Sequence, residues 1–146
     1  MMNHWLAAEL TRLQALAVEH AREKTSTGVP GHREEAQHRS REAFLAATRS
    51  LVAGISERRG VTACFVSHDG LLADYGGKAP DFEALAAVAQ KCQAVGREAG
   101  ASLSLGGVRQ MVVVGDEHKL AMLLVGQLVI GILCPVDTSL GELLGR

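Results

Sequence analysis

The sequence predicts an α/β (α+β) three-layer sandwich: one five-stranded, mostly antiparallel sheet with helices on both faces. Two observations carry this. Strand-forming residues flank the turn pair Asp69-Gly70, and an apolar run from Leu120 to Val136 is split by Gly126-Gln127. Helical periodicity brackets the first of these, with apolar steps of three and four near residues 44–55 and 82–99.

The first element is a helix over about 4–24. Leu6, Leu10, Leu13, Ala17 and Ala21 recur at helical spacing, and Glu9, Arg12, Glu19 and Glu23 lie mostly off that stripe. The same charges interrupt any apolar core of a secretory signal. Residues 25–31, TSTGVPG, carry Gly28, Pro30 and Gly31 and read as a hinge. This divides the chain into an N-terminal amphipathic helix with its Gly/Pro hinge (1–31) and a domain (32–146).

A long helix follows over about 33–58. Its first half alternates in charge and suits an exposed face, while Phe44, Leu45, Thr48, Leu51, Val52 and Ile55 make the second half a packed one. Arg58 and Arg59 complement the negative end of its dipole, and Gly60 caps it. Val61–Ser67 and Leu71–Tyr75 form a hairpin about Asp69-Gly70, with Gly76, Gly77 and Pro80 as its stop.

The next helix spans about 81–99, started by Asp81 or its predecessor and ended by Gly100. Phe82, Leu85, Val88 or Ala89, Cys92, Val95 and Ala99 form its expected inner stripe. Its other side carries Ala84, Ala87, Lys91 and Ala94 and is unusually small and smooth, so this helix suits packing on two things at once.

Three β segments complete the sheet: 108–114, 120–125 and 128–134. One or two helical turns close the chain. The apolar run Leu120–Val136 falls short of the roughly 20 residues a membrane helix requires. Strands buried on both faces read as continuous apolar runs, and each half of this stretch does so.

Composition bounds function. The chain has 146 residues, 47% apolar and 21% charged, enough for one domain with a real core. A net charge of −1 gives a polyanion no global attraction, and 3% aromatic residues leave little for base stacking. Cys64, Cys92 and Cys134 are odd in number and widely spaced, which suits a reducing, cytoplasmic setting. They lack ligand spacing, and the six histidines offer no His-x-x-x-His pair; His32 and His38 would not share a helix face. Neither a metal nor a cofactor is expected. Ser67, His68 and Asp69 are adjacent, but strand neighbours point to opposite faces, and Asp69-Gly70 is explained by its turn. Leu105-Gly106-Gly107 lacks the Lys-Ser or Lys-Thr and the following helix of a phosphate loop.

The ordered set of GVTACFVSHDGLLADYGG, DFEALAAVAQKCQAVGREAG and VRQMVVVGDEHKLAMLLVGQLVIGIL resembles the roadblock/dynein light chain family over about 41–145, with Gly131 where that family often has a glycine in its last strand. The resemblance implies a non-enzymatic protein that dimerises through the central helix and an adjoining strand edge. It also implies binding to dynein components or small Ras-like GTPases; bacterial members regulate a Ras-like GTPase of polarity or gliding motility. Carried onto this sequence, the interface would hold Ala84, Ala87, Lys91, Ala94 and Glu98. Lys91, Arg97 and Glu98 are candidate partner contacts.

The N-terminal helix has two readings. It packs on its own domain through Leu6, Leu10 and Leu13, or it docks on a partner with Trp5 and those leucines as anchors. The alternative function is a small-molecule sensor of related profilin- or PAS-like architecture, which would need a cavity with convergent polar groups.

Overall fold

The computed structural model describes residues 4–25 and 30–141, with side chains placed for 8–19 and 39–141. Its elements in order are α1 (His4–Thr25), α2 (Pro30–Ser56), β1 (Ala63–His68), β2 (Leu71–Gly77), α3 (Phe82–Ser102), β3 (Gln110–Val114), β4 (His118–Val125) and β5 (Leu128–Pro135).

The five strands form one sheet in the order β2-β1-β5-β4-β3, and every neighbouring pair is antiparallel. The run Leu120–Val136 supplies most of β4 and all of β5 about the Gly126-Gln127 turn. No described helix is long and apolar enough to cross a membrane. Asp69 and Gly70 both have positive φ, 52° and 80°, as a type I′ hairpin turn requires. β1 and β5 lie inside the sheet and are almost wholly buried, while β2 and β3 are its two edges.

Alternation of side chains divides the core in two. On one face Cys64, Val66, Ala121, Leu123, Leu128, Ile130 and Ile132 meet α2 through Phe44, Ala47, Leu51, Val52 and Ile55. α1 joins the same cluster through Leu10, Leu13 and Ala17. Leu140, at the start of the closing turns, is partly buried against it; residues 142–146 lie outside the described residues. On the other face Phe65, Met122 and Val129 meet Ala89 of α3, flanked by Phe82, Leu85, Cys92 and Met111.

Four expectations need correction. Pro30 and Gly31 do not lie in a hinge but open α2. Proline lacks only a donor that the first turn leaves unused, and its fixed φ suits a helix start. β2 runs through Gly76 and Gly77 rather than stopping before them, because both pair with β1. α3 continues past Gly100 to Ser102. Gly100 is buried mid-turn because the chain returns over it: a Cβ there would lie 2.8 Å from Val108 Cγ2 and 2.9 Å from the Gly106 carbonyl.

The fourth concerns the inner stripe of α3. Its buried residues are Ala86, Ala89, Gln93, Gly96 and Gly100. Of the alternatives Val88 or Ala89 it is Ala89 that is buried, with Val88 48% exposed; Val95, expected inside, is 61% exposed, and Ala99 is exposed too. The sheet surface beneath is already filled by Phe65, Met111 and Met122, so the helix must present small residues to approach it. At Gly96 a Cβ would come within 2.6 Å of Met111 Sδ.

Candidate docking surface on α3 and β3

Asp81 starts α3: its side chain accepts from the Ala84 amide at 3.1 Å, satisfying one donor that a helix start leaves unpaired. Near that end Tyr75 of β2 stacks on Phe82, ring centroids 4.5 Å apart. Farther along, Gln93 is buried and donates Nε2–H to the Gly126 carbonyl at 3.0 Å. Arg97 reaches the same carbonyl at 3.4 Å and Gln127 Oε1 at 3.5 Å. The helix is thus tied to the sheet at both ends, by stacking at one and by hydrogen bonds to the β4–β5 turn at the other.

With its inner side fixed, α3 turns Ala84, Ala87, Lys91, Ala94 and Glu98 outward, and all five are exposed. Val88 and Val95 stand among them, seven residues apart and so on one side of the helix. The result is an apolar, low-relief surface with one cation and one anion, Lys91 and Glu98, near its middle and end. Val112, Val113 and Val114 of the edge strand β3 are also exposed. Among the described residues the outer side of β3 has no strand neighbour, so its backbone groups there are available for pairing.

Val95 is the surface residue that sequence reasoning missed, and Val88 the one it left open against Ala89. The signal was present in the small residues 86, 89, 96 and 100, which with Gln93 step by three and four and mark the truly buried stripe. Large apolar residues suggest an inner face because size usually tracks burial; here the sheet supplies the bulk.

The remaining candidates separate. Arg97 is exposed but spends its guanidinium on the Gly126-Gln127 turn. Leu10 and Leu13 are 6% and 1% exposed within the chain's own core, which favours the first of the two readings of α1. Trp5 and Leu6, with His32 and His38, lie outside the residues whose side chains are described.

Little of the described surface is suited to covalent chemistry. Ser67 is buried, and His68 rests against Phe44 with ring centroids 5.8 Å apart; its Nδ1 is 3.9 Å from Asp69 Oδ2. Burial, with Asp74 adding, pushes the Cys64 thiol up to about 12. Burial also raises Cys134, against the opposing charge of Lys119. A thiol so raised is not a nucleophile at neutral pH. Among the described residues no group of three His, Cys, Asp or Glu side chains could hold a metal.

One concavity opens elsewhere, between α1 and the β3–β4 edge. It is an open groove of about 510 Å³ lined by Leu10, Thr11, Gln14, Arg109, Gln110, Leu123, Leu124, Val125 and Gly126.

The family match lies within the domain and does not include α1. The family model for the Roadblock/LC7 domain matches residues 45–133. The Roadblock/LC7 domain from Streptomyces avermitilis is similar at 26% identity and a TM-score of 0.57, over 63% of this chain and 81% of that one. Myxococcus xanthus MglB is similar at 17% identity and a TM-score of 0.62, over 68% and 77%. The gliding protein MglB from Thermus thermophilus gives 14% and 0.60, over 66% and 76%. At their identities the two MglB structures speak to the fold. No curated protein matches the chain.

Proposed function

The chain belongs to the Roadblock/LC7 domain family, and from that premise we propose that it is a homodimeric, non-enzymatic regulator or scaffold for a small Ras-like GTPase. Domains of this family generally regulate and bind. The observation that carries the reading is the outer side of α3, where Val88 and Val95 stand exposed among Ala84, Ala87 and Ala94 on a helix fixed to its sheet.

A second copy is the occupant that best suits the small residues. Alanines let two helices approach closely, the valines supply apolar area, and the free edge of β3 extends the sheet across the pair. The GTPase would then bind the exposed remainder of the paired helices, with Lys91 and Glu98 as rim contacts that set association rate and specificity. A likeness to a gliding protein fits a role in polarity or motility. A regulator of this kind needs no catalytic residue, because it can order the partner's own switch loops. It shifts their balance only through different affinities for the two nucleotide states.

The test is calorimetry of the purified protein with a Ras-like GTPase from the same cell, loaded with GDP or with a GTP analogue. Tighter binding of one form is expected. Lys91→Glu should slow association and change its salt dependence while the dimer stays intact. Equal affinity for both forms leaves a passive scaffold, and failure to bind either form overturns the reading.

A further inference from the structure

We propose that the groove between α1 and β3 binds a small amphiphilic carboxylate, an acid with a short apolar body. Its volume of about 510 Å³ is in the range of small-molecule clefts. Its floor is the stretch 123–126 of β4 and the following turn, one wall is Leu10, Thr11 and Gln14 of α1, and the other is Arg109 and Gln110.

The lining is chemically one-sided. Arg109 brings a positive charge, and among the described lining residues no carboxylate accompanies it. Arg109, Gln14 and Gln110 are exposed at the rim of the groove, where their donors face solvent and are open to a ligand. Beneath them Leu124 and Val125 are half-buried and present apolar surface over the core residues Leu10 and Leu123. A guanidinium flanked by amide donors, above an apolar floor, matches a ligand with an anionic head and an apolar body.

Size and charge narrow the class. The floor runs about 10 Å along the strand, too short for an extended peptide of more than about three residues. A phosphate dianion would be under-neutralised by one guanidinium, whereas a carboxylate is matched by it in a bidentate pair. The wall formed by α1 precedes residue 45, outside the family match, so the groove depends on a part of this chain that the shared domain does not supply. The inference does not rest on the GTPase reading, although Gln110 of the groove belongs to the β3 edge that the proposed dimer would pair. A bound ligand would bridge α1 to the edge strand and stabilise the docked helix.

The probe is octanoate, with octanol as its neutral counterpart, titrated into the full chain by calorimetry and amide NMR. Octanoate should bind saturably and at least tenfold more tightly than octanol, with amide shifts at 123–126 and in α1. Arg109→Gln should weaken octanoate about tenfold or more and leave octanol unchanged. Gln14→Trp, at an exposed position in the mouth, should block both while thermal unfolding shows the fold retained. The proposal is overturned by any of four results: no saturable binding, equal binding of acid and alcohol, indifference to Arg109→Gln, or shifts centred on Val88 and Val95 of α3.

Discussion

On one face of the sheet two helices bury Leu13, Leu51 and Ile55 against Ile130 and Ile132; on the other a single helix lays Ala86, Ala89 and Gly96 over Phe65, Met111 and Met122. In the first case the bulk comes from both sides and the helices' large residues are used up in the core. In the second the strands supply it, and the helix keeps its valines for the outside. A helix that contributes little volume inward is free to be apolar outward, and that is what makes α3 the docking candidate and α2 a core element. The apolar count of a helix therefore says less about its burial than does the bulk of the surface facing it.

This contrast can be broken experimentally, most severely at α1. Leu13→Ala should cost about 2–5 kcal/mol in urea unfolding, because the side chain is 1% exposed in the two-helix core. A loss below about 1 kcal/mol would mean that α1 is not part of the cooperative unit, and the face would then be covered by α2 alone. The outer side of α3 should respond oppositely. Ala94→Arg should leave the protomer's stability nearly unchanged and cost the proposed dimer about 2–5 kcal/mol, by placing a charge in a desolvated contact. Sedimentation equilibrium reads the second number; an unchanged dimer would place the interface elsewhere, the β3 edge being next to test.

The inner side of the α3 layer should be intolerant of added bulk. Gly131 of β5 lies under the Phe65 ring, and a Cβ there would overlap the ring atoms. Gly131→Ala should destabilise by about 1–3 kcal/mol in thermal or urea unfolding. Little or no loss would show that the single-helix layer is looser than its packing implies.

The last test is read as a slope above neutral pH and not as a stability at one pH. Cys64, in the two-helix core, is raised from 9.0 to about 12, chiefly by burial. The unfolded chain loses this proton first, so the contribution is fully present below about pH 9 and is lost as pH rises toward 12. Cys64→Ala should flatten the decline of stability over that window relative to the parent. Equal slopes would mean that water reaches Cys64.

The hairpin about Asp69-Gly70, the division of 120–136 into two strands, and α2 and α3 were legible in the sequence. Each rests on local chemistry: a pair of residues that accept positive φ, apolar runs of strand length, and apolar positions at helical spacing. The family resemblance was legible because these elements come in a fixed order. Legibility failed where one local signal has two readings or where the deciding partner was remote. Pro30 and Gly31 resemble a hinge until α2 is seen to start on them, and Gly100 resembles a stop until Val108 folds back over it.

What the sequence determined by itself is the type and order of the elements, because φ preferences and periodicity act between near neighbours. What only the tertiary structure decided is which side of α3 faces the sheet, that Leu10 and Leu13 of α1 are buried with Ile130, and that Arg97 is committed to the Gly126-Gln127 turn. Those outcomes depend on the volume and hydrogen-bonding capacity of residues far along the chain. Phe65, Met111 and Met122 fill the space under α3, so Val88 and Val95 remain outside.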